Sequence, residues 1–223
     1  MRQKKKQVLL DSLLLAPGYV EKWAKSNGLW PLLGVDEAGR GSLAGPVVAG
    51  ALILPENHGI LGLKDSKRLC ASARESLFEQ ITRVALAYGI GEAQVSEIDE
   101  LGILKATLLA MRRAVDIALS KFGRDVALVV VDGKVPIPGL KVSQKTWVKG
   151  DCLSMNVAGA SILAKVYRDK LMREADNVYK GYGFASHKGY ATKAHLDAMR
   201  RLGITSFHRR SFSPCALLSV NSA

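Results

Sequence analysis

Three acids stand where short apolar runs give out, and a fourth stands just before a helix. Asp36 and Glu37 close Leu32-Leu-Gly-Val35, and Asp132 closes Val126-Ala-Leu-Val-Val-Val131. Asp151 lies in Lys149-Gly150-Asp151, just ahead of a helical stretch. In sheets of parallel strands, the carboxyl ends of neighbouring strands converge on one rim. Carboxylates gathered there repel one another unless a cation offsets their charge, and an all-oxygen donor set selects Mg²⁺ or Mn²⁺. The plainer alternative makes Asp36 and Asp132 turn residues and Asp151 a helix cap. Adjacent strand residues face opposite ways. Asp36 and Glu37 therefore share a cation only where the strand breaks into its turn, and Gly39 and Gly41 supply a break.

Three further segments carry groups suited to phosphate. Gly39-Arg40-Gly41-Ser42 combines glycines, which let backbone approach a ligand closely, with a guanidinium fork. Successive N–H groups there can form an anion nest, although the segment matches neither a P-loop nor a Rossmann fingerprint and also reads as a simple hairpin turn. Asp65-Ser66-Lys67, before a helix predicted from about Ala71, is either a phosphate contact or a surface turn. From His187 to Phe212 the chain carries Lys188, Lys193, Arg200, Arg201, Arg209 and Arg210, interleaved with Tyr190, Phe207 and Phe212. Cations with interspersed rings are the footprint of nucleic-acid contact, and a solvated basic helix face is the alternative for Arg200 and Arg201. His187, His195 and His208 match no common zinc spacing.

The elements that must position these groups follow from periodicity. Leu32–Asp36, Gly45–Leu54 and Val84–Gln94 read as an antiparallel meander. Glu97–Phe122 reads as one amphipathic helix ended by Gly123. Val126–Val131 reads as a strand buried on both faces, Lys145–Val148 as a short strand, and Ser154–Tyr179 as a long helix. Strands first, then alternation of strand and helix, predicts an α/β mixed sheet flanked by helices. The 223 residues suit one domain, predicted over 32–214, with a basic and amphipathic extension over 1–31 and a short tail over 215–223.

With 32 Lys+Arg against 20 acids, a formal charge of +12 favours polyanionic partners. No stretch approaches the roughly 18 apolar residues of a membrane span, and the basic start lacks a signal-peptide cleavage site. Cys70, Cys152 and Cys215 are odd in number and widely spaced, which disfavours a disulfide framework or zinc ribbon and points to a reducing cytoplasm.

In this order, the segments resemble the bacterial type 2 ribonuclease H family, ribonuclease HII. The likeness rests on Gly34-Val-Asp-Glu-Ala-Gly-Arg-Gly-Ser-Leu-Ala-Gly-Pro46, Asp65-Ser-Lys67, Val131-Asp-Gly133 and Lys149-Gly-Asp151. Ala160-Ser-Ile-Leu-Ala-Lys-Val166, Gly181-Tyr-Gly-Phe184, His187-Lys-Gly-Tyr190 and His208-Arg-Arg-Ser-Phe212 extend it. The resemblance implies a ribonuclease H-like five-stranded mixed sheet with a C-terminal helical extension. It also implies hydrolysis of RNA in RNA–DNA hybrids and incision 5′ of single ribonucleotides in duplex DNA. By position, Asp36, Glu37, Asp132 and Asp151 are the implied catalytic and metal-binding acids, with Asp151 preferred over Asp169. Gly39, Arg40 and Gly41 are the implied contacts to the ribose 2′-hydroxyl and its phosphates, Ser66 and Lys67 hold backbone phosphate, and Tyr190 packs on the ribonucleotide sugar. Two Mg²⁺ or Mn²⁺ ions and a monomer are expected. Two departures stand out: Val157-Ala-Gly-Ala160 is less alanine-rich than usual, and Ala191 replaces a common third glycine. The short extension favours type 2 over type 3. A non-catalytic binding module would lack a strand-end acid, and none is missing. A nuclease for DNA alone fits poorly with the glycine–arginine turn beside Tyr190.

Overall fold

The computed structural model describes residues 17–63 and 69–220. Its centre is a five-stranded sheet of order β3-β2-β1-β4-β5. The strands are β1 (Leu32–Ala38), β2 (Val47–Ile53), β3 (Ala87–Ala93), β4 (Leu128–Asp132) and β5 (Gln144–Trp147). β1, β2 and β3 pair antiparallel as a meander, while β4 runs parallel to β1 and β5 parallel to β4. The mixed sheet expected from the sequence is therefore present. Every residue of β2 is buried, because helices cover both faces of the sheet.

The helices are α1 (Tyr19–Ser26), α2 (Ala71–Val84), α3 (Val95–Leu101), α4 (Ile103–Phe122), α5 (Gly150–Leu153), α6 (Met155–Val178), α7 (Phe184–His187), α8 (Lys193–Leu202) and α9 (Ser213–Val220). α4 covers one face with Ala110, Ala114 and Ala118 against Val35, Ala49 and Ala51. α6 covers the other face at very close range. A Cβ on Gly34 would lie 2.4 Å from the backbone of Asn156, and one on Gly50 would lie 2.3 Å from the Ala160 carbonyl oxygen. Glycine in β1 and β2 is thus what lets the α6 backbone lie almost on the sheet.

One expectation needs correction. The single helix over Glu97–Phe122 is two helices. Gln94 and Glu97 form a capping box that starts α3, and Gly102, at φ 77°, ends it and opens α4. That φ is easy for glycine and costly for other residues. The apolar period misled here because Leu101 and Leu104 are 38% and 45% exposed. The C-terminal basic stretch is also less solvated than its composition suggests. His195, His208 and Arg209 are fully buried, and Phe207 packs on a second core with Leu43, Met172, Phe184 and Met199.

The N-terminal helix is tied to the body. Val20 and Ala24 of α1 are fully buried with Leu32, Leu128 and Val130. Glu21 accepts from Ser154 Oγ at 2.7 Å and Asn156 N at 3.1 Å, at the start of α6. An acid suits that position, where backbone N–H groups lack helical partners.

Candidate active site

The register of β1 with β4 sets the site. Val35 lies opposite Val131 in the parallel pair, so Asp36 and Asp132 come next on adjoining strands at one rim. Asp36 is 4% exposed. Burial first, then the charges of Glu37 and Asp132, push its carboxyl well above the ordinary range. Its Oδ1 accepts the Glu37 N–H at 2.7 Å. Asp132 Oδ1 accepts Gly150 N–H at 2.7 Å, which docks α5 against the end of β4. Asp151 is the next residue, buried at 4% exposure. The positions of Asp36, Asp132 and Asp151 thus converge on one rim.

β1 continues through both Asp36 and Glu37 to Ala38. The break comes two residues beyond Glu37, at Gly39, with φ 93°, one of the two glycines expected to supply it. Glu37 nevertheless reaches two spaces. It lines a groove of about 360 Å³ with Asp132, Arg40 and Leu104. It also lines a hollow of about 270 Å³ with Gly39, Ser161, Lys165 and Tyr190. Its Oε1 accepts from Arg40 Nη1 at 3.1 Å. Among the described residues, no three His, Cys, Asp or Glu side chains stand close enough together to hold a metal ion as they lie.

A divalent cation nevertheless suits the donors. They are hard oxygens, and the charges of Glu37 and Asp132, which after burial raise the Asp36 pKa, are a repulsion a cation would offset. Asp169 is engaged by a cation instead: its Oδ1 accepts from Lys165 Nζ at 2.7 Å.

The glycine–arginine turn and Tyr190 sit side by side. Leu43 N–H donates to the Gly189 carbonyl at 2.8 Å, joining the turn to the Tyr190 loop. The Tyr190 side chain is 39% exposed, with Lys165 Nζ and Arg168 Cζ each 5.8 Å from its ring centre. Ser66 and Lys67 lie outside the described residues. Sequence reasoning missed Ser161 and Lys165 as lining residues and Arg168 and Arg209 as buried cations. The Ala160–Val166 motif held the first two, but motif membership does not say which side chains face a hollow.

A mixed sheet in this strand order, with acids at the carboxyl rim of its parallel strands, places the chain among the ribonuclease H-like nucleases. A family model for ribonuclease HII matches residues 33–215. The ribonuclease HII of Desulfitobacterium hafniense (strain Y51) is 50% identical over 196 residues, covering 87% of this chain and 73% of that protein. The one from Syntrophotalea carbinolica is 48% identical over 204 residues, covering 92% and 95%. The crystal structure of ribonuclease H2 from Pyrococcus horikoshii OT3 aligns with a TM-score of 0.69 at 25% identity, covering 85% of this chain and 97% of that one. The chain belongs to the ribonuclease HII family. It is accordingly a ribonuclease H, an endonuclease that hydrolyses the RNA of RNA–DNA hybrids.

Proposed function

We propose that the chain also incises duplex DNA on the 5′ side of a single embedded ribonucleotide, leaving 3′-hydroxyl and 5′-phosphate ends, and so serves ribonucleotide removal during replication and repair. One observation carries this reading. Glu37 lines both the groove that holds Asp132 and the hollow that holds Gly39 and Tyr190. Bond cleavage and sugar recognition would therefore adjoin through one side chain.

Asp36, Glu37, Asp132 and Asp151 would hold two Mg²⁺ or Mn²⁺ ions. When bound, such ions lower the pKa of water and stabilise charge on the attacking and leaving oxygens. The protein's own groups would place the substrate. Gly39 and Gly41 would let the main chain reach the ribose 2′-hydroxyl, which distinguishes RNA from DNA. Tyr190 would pack against the ribonucleotide sugar. Arg40 would turn to phosphate. Its side chain is 49% exposed, so its pairing with the largely buried Glu37 is open to exchange from the solvent side. Ser66 and Lys67 would hold phosphate further along the strand. A site that hydrogen-bonds the hydroxyl can reject its absence by as much as ~10⁴-fold. The enzyme is read as a monomer of a reducing cytoplasm, from the odd number and wide spacing of Cys70, Cys152 and Cys215. No described helix is long and apolar enough to cross a membrane.

The test is a DNA duplex carrying one ribonucleotide, incubated with Mg²⁺, Mn²⁺ or chelator, with both product ends mapped. A single cut 5′ of the ribonucleotide, abolished by chelator, is expected. A cut on the 3′ side, or equal cutting of the all-DNA duplex, refutes the reading.

A further inference from the structure

Two guanidiniums lie buried behind the glycine–arginine turn, and the reading above gives neither a role. Arg168 and Arg209 are both 0% exposed. Among the described residues neither has a carboxylate within ion-pair distance. A buried cation is costly unless its N–H groups are met. Here they are met by main-chain carbonyls. Arg209 donates to Gly45 O at 2.9 Å, Arg40 O at 2.9 Å and Gly39 O at 2.7 Å. Arg168 donates to Pro46 O, Ala44 O and Lys188 O, each at 3.0 Å. Five of those six carbonyls belong to residues 39–46, and the sixth lies two residues before Tyr190.

The consequence follows from peptide geometry. In a trans peptide the carbonyl and the following N–H point in opposite directions. Arg209 draws the Gly39 and Arg40 carbonyls inward, so the N–H groups of Arg40 and Gly41 face away from it. Arg40 and Gly41 are both exposed, and a Cβ built on Gly41 meets nothing within 4 Å. Neither N–H finds an acceptor among the described residues. Two adjacent outward N–H groups beside a cleavage centre form a small anion- and oxygen-binding nest. On the other side of the turn, the Arg168 side chain fills the space of a Gly39 Cβ, with Nε 2.0 Å from where that atom would be.

We propose that Arg209 and Arg168 are positioning residues for ribose recognition. Arg209 turns the Arg40 and Gly41 N–H groups toward the ribose hydroxyl and its adjoining phosphate. Arg168 fixes the same segment to the loop that presents Tyr190. The inference rests on reading this turn as the sugar-sensing element. Lysine at either position keeps the charge but loses the planar fork that holds several carbonyls at once.

The experiment compares Arg209→Lys, Arg168→Lys and the unaltered chain. Affinity is measured by fluorescence anisotropy for a duplex with one ribonucleotide and for the all-DNA duplex of the same sequence, with Ca²⁺ in place of Mg²⁺. For Arg209→Lys the ratio of the two affinities is expected to fall about 10-fold, the size of one or two lost hydrogen bonds. Binding to the all-DNA duplex should stay within about twofold, because phosphate attraction survives with the charge. Arg168→Lys should retain more of that ratio. It should instead lose roughly 10-fold in cutting at a lone ribonucleotide relative to a continuous RNA–DNA hybrid. Any loss of folded protein scales both duplexes alike and cancels in the ratio, so a destabilised variant still reports. An unchanged ratio in Arg209→Lys, or equal weakening on both duplexes, overturns the inference while the sugar-sensing role of the turn stands. Absence of any ribonucleotide preference in the unaltered chain overturns that role and the inference with it.

Discussion

At the scale of single residues, the account depends on Asp36, Glu37 and Asp132 sharing one rim. Asp132→Asn keeps the shape of the side chain and its Oδ1 contact to Gly150 N–H but removes a charge. Duplex affinity should therefore change little. Loss of metal-assisted stabilisation is worth several kcal/mol, so cleavage should fall on the order of 10³-fold. Gel assays of binding and cutting on one preparation check this, and near-normal cutting would contradict it. Tyr190→Ala should reduce incision at a lone ribonucleotide by roughly 10-fold, through lost orientation of the reacting bond. A continuous RNA–DNA hybrid should suffer less, and equal losses on the two substrates would remove the ring from the junction. The acids were legible in the sequence because each ends an apolar run, where an acid has little business in a core. Arg168 and Arg209 were not. They lie among other cations, and a linear sequence does not distinguish a solvated guanidinium from one enclosed by carbonyls.

At the scale of elements, helix α6 presses on the sheet through glycines that admit no side chain. Gly50→Ala would set a methyl 2.3 Å from the Ala160 carbonyl oxygen, a backbone atom that cannot swing aside. Overpacking of this kind costs about 1–3 kcal/mol, and a drop of several degrees in Tm should follow; an unchanged Tm would mean α6 can move off the sheet. The C-terminal helices carry a second prediction. His208 Nδ1 accepts Thr205 N–H at 3.0 Å, and its Nε2 lies 3.2 Å from His195 Nε2. His195 Nδ1 in turn faces the Tyr190 carbonyl at 3.0 Å. A consistent assignment has His208 donate to His195 and His195 donate to Tyr190, with both rings neutral. Burial first, then His195 and His187, lowers the His208 pKa to about 4. In the unfolded chain a histidine takes up its proton near pH 6.5. Between those values the unfolded state holds more protons, so stability rises with pH and is lost as pH falls from about 6.5 toward 4. The slope is at most about 1.4 kcal/mol per pH unit for each such ring. Denaturant midpoints from pH 7 to 4 should show the decline, and His208→Gln should flatten it; a flat profile in the unaltered chain would mean these rings accept protons in place. The strands and α6 were legible from periodicity. The corner at Gly102 was not, because Leu101 and Leu104 continue an apolar rhythm on a face that is partly open to solvent.

At the scale of the whole molecule, a formal charge of +12 should make duplex binding steeply salt-dependent. A protein that contacts six or more phosphates loses on the order of 10³-fold in affinity between 50 and 200 mM salt. A shallow slope would mean that the basic residues are spread too widely to meet one duplex. The sequence's charge predicted a polyanionic partner, whereas its distribution became visible only once Arg168, Arg209 and His208 were seen inside the protein. Fold class was legible as a whole because the strands come first and then alternate with helices, whereas the order β3-β2-β1-β4-β5 came only with coordinates. The adjacency of glycine–arginine turn and acid rim required coordinates, since Glu37 and Tyr190 are brought together by the pairing of Leu43 with Gly189 and by the Arg168 bridge from Ala44 and Pro46 to Lys188. The most direct test of the central claim is calorimetric titration of Mn²⁺ into the unaltered chain and into Asp36→Asn. The account predicts uptake by the former and at least about 10-fold weaker binding by the latter. Identical isotherms, or no uptake by the unaltered chain, would contradict it.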